Sequence, residues 1–355
     1  MKQKSVAIRG KVRLIPVVGA LLMMLGLLVS GCNPASAPSP NLPAADKELA
    51  VQGSNGAGQP NARPIVLGFS QLGSESDWRK ANTSSIVEAA KEAGIQLRLE
   101  NAEQSQQRQF EAVRSFIQQQ VDVIAIAPVI ESGWDPILRE VRQAGIPLII
   151  LDRLVEVSDP SLYITFIGSD FYEEGTKAGK YLLDKMSDAA GPVGIVELRG
   201  TEGSTPSIAR GKGFRDALKE RDLLRVIQSE AADFTYKQGK EVMRSFLKAK
   251  GKEIRVLYSH NDDMALGAVE AIEEYGLKPG KDIIIISVDG TRKAFEKMME
   301  GKINSVVECN PLLGPNLMQA VNELMQGRTL PKKIITPESI FTEAMAEKEV
   351  KNRKY

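Results

Sequence analysis

From Ile65 onward the chain alternates short apolar runs with amphipathic ones. The run Ile65–Phe69 is apolar at nearly every position, as in a strand covered by helices on both faces. Small polar residues follow, and a helical pattern opens at Asp77, Trp78 and Arg79 and continues through Ala89, Ala90 and Ala93. The same alternation predicts strands over Ile95–Leu99, Asp122–Ala127, Pro147–Leu151 and Tyr163–Ile167, with helices over Gln104–Gln119 and Trp134–Ala144. It then starts again. Strands are expected at Val193–Leu198, Arg225–Ser229, Ile254–Tyr258, Asp282–Ser287 and Ile303–Val307. Helices are expected near Arg210–Lys219 and over Tyr236–Ala249, Asp263–Tyr275 and Thr291–Glu300. A last helix around Leu317–Met325 and a strand near Lys333–Pro337 close the chain.

Strands separated by amphipathic helices imply βαβ units and a parallel sheet. Two such series in one chain give the expected fold class: α/β, two similar doubly wound parallel-sheet lobes with a cleft between them. The tail after Glu308 is long enough to cross back onto the first lobe, which makes the hinge multi-stranded.

The N-terminus changes the picture. Lys2, Lys4, Arg9, Lys11 and Arg13 precede an apolar run from Val17 to Val29, which ends in Ser30, Gly31 and Cys32. A basic start, a short apolar stretch and a small-residue cut make a secretory signal rather than a membrane span. A cysteine at the cut resembles a bacterial lipobox, so the expectation is a signal over 1–31 and lipidation of Cys32. Residues 32–63, rich in Pro, Ala, Ser, Gly and Asn, read as a flexible tether. The expected location is extracytoplasmic and lipid-anchored, with a Gram-positive surface favoured. With Cys32 acylated, Cys309 has no partner within the chain, and a core must hold the fold without a disulfide.

At 355 residues, 26% of them charged, the chain is long enough for two domains. Its 46 basic and 45 acidic residues leave a net charge of +1, which gives no electrostatic footprint for nucleic acid. Aromatics make up only 5%, so Trp78 at a strand end stands out.

Ligands of open α/β sheets sit beyond the carboxyl ends of the strands. The polar candidates fall there: Trp78 and Arg79 after the first strand, Asp152 and Arg153 after PLIIL, Asn261 and Asp263 after VLYSH, Asp289 after IIIISV and Glu308 after SVV, while Arg210 is expected to open the second lobe's first helix. A ring face beside a guanidinium fork suits a sugar, whose C–H face packs on an aromatic and whose hydroxyls accept from arginine. Each residue has a plainer reading. Trp78 caps its helix while Arg79 is solvated, Asp263 caps a helix, Asp289-Gly290 is a turn, and Arg153 pairs with Asp152 at the surface. Enzyme motifs are missing. The single histidine, His260, has no metal or Cys–His partner, and no phosphate-binding glycine motif follows the first strand. Carboxylate acid–base chemistry among Glu75, Asp77, Asp152 and Asp289 stays open, so a sugar-processing enzyme and a sugar-sensing receptor stand beside a sugar carrier.

GFSQLGSESDWR, VRSFIQQQVDVIAIAPV, Leu151–Arg153 (LDR), Arg210–Phe214 (RGKGF), His260–Ala268 (HNDDMALGA), LKPGKDI and Ser287–Gly290 (SVDG) resemble the substrate-binding proteins of bacterial sugar ABC transporters, the periplasmic-binding-protein type I family, and within it the galactofuranose binders. The likeness covers essentially all of Ile65 to Tyr355. It implies a first lobe of 64–168 plus roughly 309–335 and a second of 169–308 plus roughly 336–355. It implies a non-enzymatic, monomeric carrier of a monosaccharide that serves an ABC permease by hinge closure, with no cofactor and no metal. It also implies sugar contacts at Glu75, Ser76, Asp77, Trp78, Arg79, Asp152, Arg153, Arg210, Asn261 and Asp289, with Glu308 as a neighbour. Two positions depart from that pattern: Asp77 stands where the galactofuranose binders have glycine, and Phe171 where relatives carry an asparagine.

Overall fold

The computed structural model describes residues 63–355. The expected signal over 1–31, Cys32 and the tether up to residue 62 lie outside the described residues. Among the described residues no helix is long and apolar enough to cross a membrane.

The first series forms β1 (Val66–Gln71), α1 (Asp77–Glu92), β2 (Gln96–Asn101), α2 (Gln106–Gln118), β3 (Val123–Ile126), α3 (Asp135–Gln143), β4 (Leu148–Leu151) and β5 (Thr165–Gly168). The second forms α4 (Phe171–Lys185), β6 (Val193–Arg199), α5 (Thr205–Leu218), β7 (Leu224–Ala231), α6 (Tyr236–Lys250), β8 (Ile254–Ser259), α7 (Asp262–Glu274), β9 (Ile284–Asp289), α8 (Arg292–Met299) and β10 (Ser305–Glu308). The tail adds α9 (Gly314–Met325), β11 (Lys333–Ile335), β12 (Ile340–Thr342) and α10 (Ala346–Glu349).

Two six-stranded sheets result, ordered β11-β5-β4-β3-β1-β2 and β12-β10-β9-β8-β6-β7. All neighbours are parallel except β12, which runs antiparallel to β10. The two orders are the same wiring used twice, as the sequence alternation implied. The chain crosses between sheets after β5, after β10 and after β11. The tail thus returns to the first lobe, where Leu317 and Val321 of α9 join the core beneath β1 and α1.

Strand residues alternate between two covered faces, which is why the strands read as continuous apolar runs. In the first sheet Ala125 and Ile149 face α1 and α9, while Ile124 and Ile150 face α2 and α3. In the second, Leu257 and Ile285 face α6 and α7, while Val256 and Ile286 face α4 and α5.

The periodicity misses α4 and β12. α4 carries Gly175 and Gly179, which weaken a helical pattern. Packing requires them: a Cβ on Gly175 would lie 2.1 Å from the Arg210 carbonyl oxygen, and one on Gly179 would lie 2.6 Å from Ala217 Cβ. β12 has only three residues, too few to show a period. Arg210 therefore does not open the second lobe's first helix. α4 precedes it, and α5 already begins at Thr205, with Pro206 in its first turn.

The close pairing of α4 with α5 sets where Arg210 and Phe171 stand. Gly213 of α5 faces the Tyr172 carbonyl oxygen of α4, which a Cβ would meet at 2.1 Å. Gly213→Ala should cost about 1–3 kcal/mol through this overpacking, read as a lower urea midpoint at unchanged slope. An unchanged midpoint would mean the two helices separate freely.

Candidate binding site

A cavity lies where the strand ends of the two sheets face each other. It holds about 290 Å³ of empty space, counted out to where it meets solvent, and its walls come from both lobes. The first lobe gives Glu75, Ser76, Trp78, Arg79, Asp152 and Arg153. The second gives Phe171, Pro206, Arg210, Phe234, Asn261 and Asp289, and Cys309 stands at a crossing.

α1 starts at the mouth because Ser76 caps it: its hydroxyl accepts from the Arg79 backbone N–H at 3.0 Å. One helical turn then separates Glu75 from Arg79, whose Nε donates to Glu75 Oε1 at 3.2 Å. Arg79 Nη2 lies 2.6 Å from Asp152 Oδ2, and all three side chains are nearly fully buried. Burial depresses the Arg79 guanidinium, but Asp152 and Glu75 outweigh it and hold the group above its ordinary value. Arg153 is less well compensated. It donates to the Val129 carbonyl at 2.8 Å, and Glu75 is 3.9 Å away. Burial and the neighbouring Arg79 pull it down to about 10, so it stays charged at neutral pH.

From the second lobe, Arg210 Nε donates to Glu174 Oε2 at 2.6 Å and Nη1 donates to the His260 carbonyl at 2.6 Å. His260 is fully buried, with Nε2 3.0 Å from Glu197, so it serves packing rather than the cavity. The Phe234 ring lies beneath two guanidinia, 5.1 Å from Arg153 and 6.0 Å from Arg210. Trp78 faces Phe234's lobe from the other side, with Arg79 stacked 4.7 Å from its ring centre. Its indole N–H donates to the Cys309 carbonyl at 2.7 Å, and its ring joins an apolar cluster otherwise built from the second lobe and the crossing at Cys309.

Asp152 and Asp289 follow β4 and end β9, the third strand of each sheet. Both have positive φ, 63° and 127°, a conformation side chains other than glycine avoid. The turn aims both carboxylates inward. Among the described residues, buried Asp289 Oδ2 accepts no hydrogen bond, and the same holds for Glu75 Oε2 and, as a donor, for Arg153 Nε. Burial, with the charge of Asp262, holds the Asp289 carboxyl well above the usual range against the pull of Arg210.

The cavity walls contain Glu75, Ser76, Trp78, Arg79, Asp152, Arg153, Arg210, Asn261 and Asp289, but neither Asp77 nor Glu308. Asp77 points out of the cavity, where Lys293 of the second lobe donates to it at 2.6 Å and Lys80 at 3.1 Å. The glycine-to-aspartate departure therefore does not alter the cavity wall. Glu308 is turned to the C-terminal segment, accepting from Arg353 at 2.8 Å. Asn261 rather than Asp263 caps α7, its Oδ1 accepting from Met264 N at 3.0 Å while its Nδ2 donates to the Phe234 carbonyl. Arg153 does not form a surface pair with Asp152, since both are buried. Sequence reasoning missed Pro206, Phe234 and Cys309. Phe234 follows β7, so the strand-end rule applied equally would have found it.

The lobes touch directly around the cavity. Glu131 N donates to the Gly203 carbonyl at 2.9 Å, Leu154 N to Thr205 Oγ1 at 3.0 Å, and Asp77 N to Asp263 Oδ2 at 3.1 Å. The protein is closed.

Two sheets wired in the same order have a counterpart among known families: residues 67–329 match the periplasmic binding protein domain. The chain belongs to the periplasmic binding protein family. Its two parallel-sheet lobes are the type I fold of that family. The galactofuranose-binding protein YtfQ of Escherichia coli is 42% identical over 296 residues, covering 82% of this chain and 92% of that protein. A Mycobacterium smegmatis protein solved with β-D-fucofuranose is 47% identical at a TM-score of 0.80, covering 82% of this chain and 95% of that one. The binding component of an arabinose ABC transporter from Shewanella, bound to α- and β-L-arabinofuranose, is 45% identical at a TM-score of 0.79, covering 82% and 96%. These relatives are binding and transport proteins, not enzymes.

Asp289 offers a test of the electrostatics without any ligand. Its folded value is raised above the ordinary 3.8, so its contribution is intact below about pH 4 and is lost as pH rises. Asp289→Asn should therefore raise Tm at pH 7, with the gain shrinking towards pH 4. A gain that is the same at both pH values would show that burial does not raise the carboxyl.

Proposed function

We propose that this chain is the substrate-binding protein of an ABC sugar importer and captures a monosaccharide in furanose form by closure of its two lobes. The observation that carries the reading is the set of buried, unpaired polar atoms facing one small cavity: Glu75 Oε2, Arg153 Nε and Asp289 Oδ2. A buried polar atom left unpaired is costly, and a ligand carrying many hydroxyls supplies both donors and acceptors to it. Carboxylates accept from hydroxyls, guanidinia donate to hydroxyls and the ring oxygen, and Trp78 with Phe171 and Phe234 gives apolar faces to the C–H surface of the ring. The furanose form comes from relatives whose names and titles specify galactofuranose, fucofuranose and arabinofuranose. The sugar bridges both lobes, so binding shifts an open–closed equilibrium towards the closed shape, which a permease then reads.

Anchoring through lipidated Cys32, a monomeric state and the lobe limits 64–168 with about 309–335 and 169–308 with about 336–355 belong to the same proposal; their support is the leader pattern and the strand crossings.

Calorimetric titration with galactose, arabinose and fucose, together with NMR of the sugar labelled with 13C at C1, tests it. Loss of furanose signals with pyranose signals left in place is the expected result. Absence of heat and of any thermal shift across pentoses and hexoses would sink the reading. Trp78→Ala and Arg153→Ala should each weaken binding at least about tenfold, through loss of a packed aromatic and of charge-assisted hydrogen bonds; unchanged affinity in both would move the site elsewhere.

A further inference from the structure

The three crossings between the lobes meet at one point, where Ser169 and Cys309 are buried and Glu338 is partly buried. Ser169 follows β5, Cys309 follows β10, and Glu338 lies between β11 and β12. Ser169 Oγ lies 3.4 Å from Cys309 Sγ and donates to Glu338 Oε1 at 2.5 Å. The same Oε1 accepts from Asn310 N at 3.1 Å and from Thr336 Oγ1 at 3.3 Å. Glu174 of α4, fully buried, reaches this point too: one carboxylate oxygen each of Glu174 and Glu338 and the Cys309 sulfur lie within 4.8 Å of one another.

Glu174 is the group that holds Arg210 in the cavity wall. Its Oε2 accepts from Arg210 Nε, while its Oε1 is buried with no hydrogen-bond donor among the described residues. Two ionised carboxylates this close, one fully and one partly removed from water, repel. A proton placed between them removes the repulsion and pairs the orphaned oxygen.

We propose that Glu338 is a positioning residue: it carries a proton that it shares with Glu174, which fixes Glu174 against Arg210 and ties the three crossings together in the closed form. The negative charge stays on Glu174, opposite Arg210. A metal ion is the other occupant such donors could take, but Arg210 already supplies the positive charge. The charged and titratable groups around Glu338 are Glu174 and Lys177 of α4, Arg210 of α5, Asp289 at the end of β9, and Cys309. Lys177 Nζ donates to the Glu338 carbonyl at 2.9 Å and does not touch the carboxyl. Burial, then Glu174, push the Glu338 carboxyl up to about 9.

The sign follows. A folded value near 9 against an ordinary 4.5 means stability intact below about pH 4.5 and lost as pH rises towards 9. Glu338→Gln keeps the shape, puts an N–H where the proton was and cannot ionise. Without sugar, the Tm of the wild type should fall relative to Glu338→Gln between pH 5 and 9, and 13C NMR of the wild type should show one glutamate carboxyl titrating near pH 9. Arg153 and Asp289 also shift with pH, as do Asp262 and Asp263, which burial raises to about 6 and about 7, but all four are present in either protein and cancel in the comparison. The second arm rests on the sugar-binding reading: from pH 7 to pH 10 the affinity of the wild type should drop at least tenfold more than that of Glu338→Gln, the loss of charge on Arg153 being common to both. Parallel Tm profiles with no glutamate titrating above pH 7 would overturn the shared proton. A zinc-dependent rise in the Tm of the wild type alone would overturn it in favour of a metal. A pH-independent affinity in both proteins would overturn the link to Arg210. The thermal and NMR arms need no sugar, so their failure is distinct from failure of the sugar reading.

Discussion

A guanidinium taken out of water has to be met by opposite charge and by acceptors for its N–H groups, and this protein buries three of them within one cleft. Arg79, Arg153 and Arg210 are each 3% exposed, a degree of burial that would be untenable for isolated cations. Their compensation arranges the rest. Glu75 and Asp152 serve the first lobe, Glu174 the second, and the backbone carbonyls of Val129 and His260 accept one bond each from Arg153 and Arg210. Because strand ends supply these partners, the charges converge where two sheets point at each other. The donors are fixed before any ligand arrives, and preorganisation of this kind cuts the ordering cost of binding.

The two lobes use the same strand order, and equivalent positions do related work. The third strand of each sheet ends in an aspartate turned into the cleft by a positive φ. Ser169 and Cys309, which follow the equivalent strands β5 and β10 of the two sheets, touch across the hinge. Backbone strain at Asp289 costs of order 1–3 kcal/mol, and the surrounding fold maintains it where a carboxylate must face inward. Strain, burial and missing partners coincide at this residue.

Much of this was legible in the chain. Continuous apolar runs gave the parallel sheets, and the strand-end rule collected most of the cavity wall before any coordinates. What escaped it has physical causes. α4 was hidden by Gly175 and Gly179, which exist for helix–helix approach that only tertiary structure reveals. Asp77, next to Trp78 in sequence, points the other way because successive helical residues are about 100° apart. Glu308 ends a strand like its neighbours, yet the C-terminal Arg353 captures it, a partner that no local pattern announces. Phe234 lacks polar atoms in its side chain, so a search for hydroxyl-matching groups passed over it.

Trp78 belongs to the first lobe by sequence but seats its ring in the apolar interior of the second, with its indole N–H spent on the Cys309 carbonyl. The same side chain thus serves as both wall and latch. A latch of this kind rewards shutting whether or not cargo is inside. Molecules shut empty are withdrawn from capture, and apparent affinity falls in proportion to the share still open. The grip of Trp78 on its neighbour lobe therefore sets how much sugar must be present before the protein fills, as well as how firmly it holds what it has.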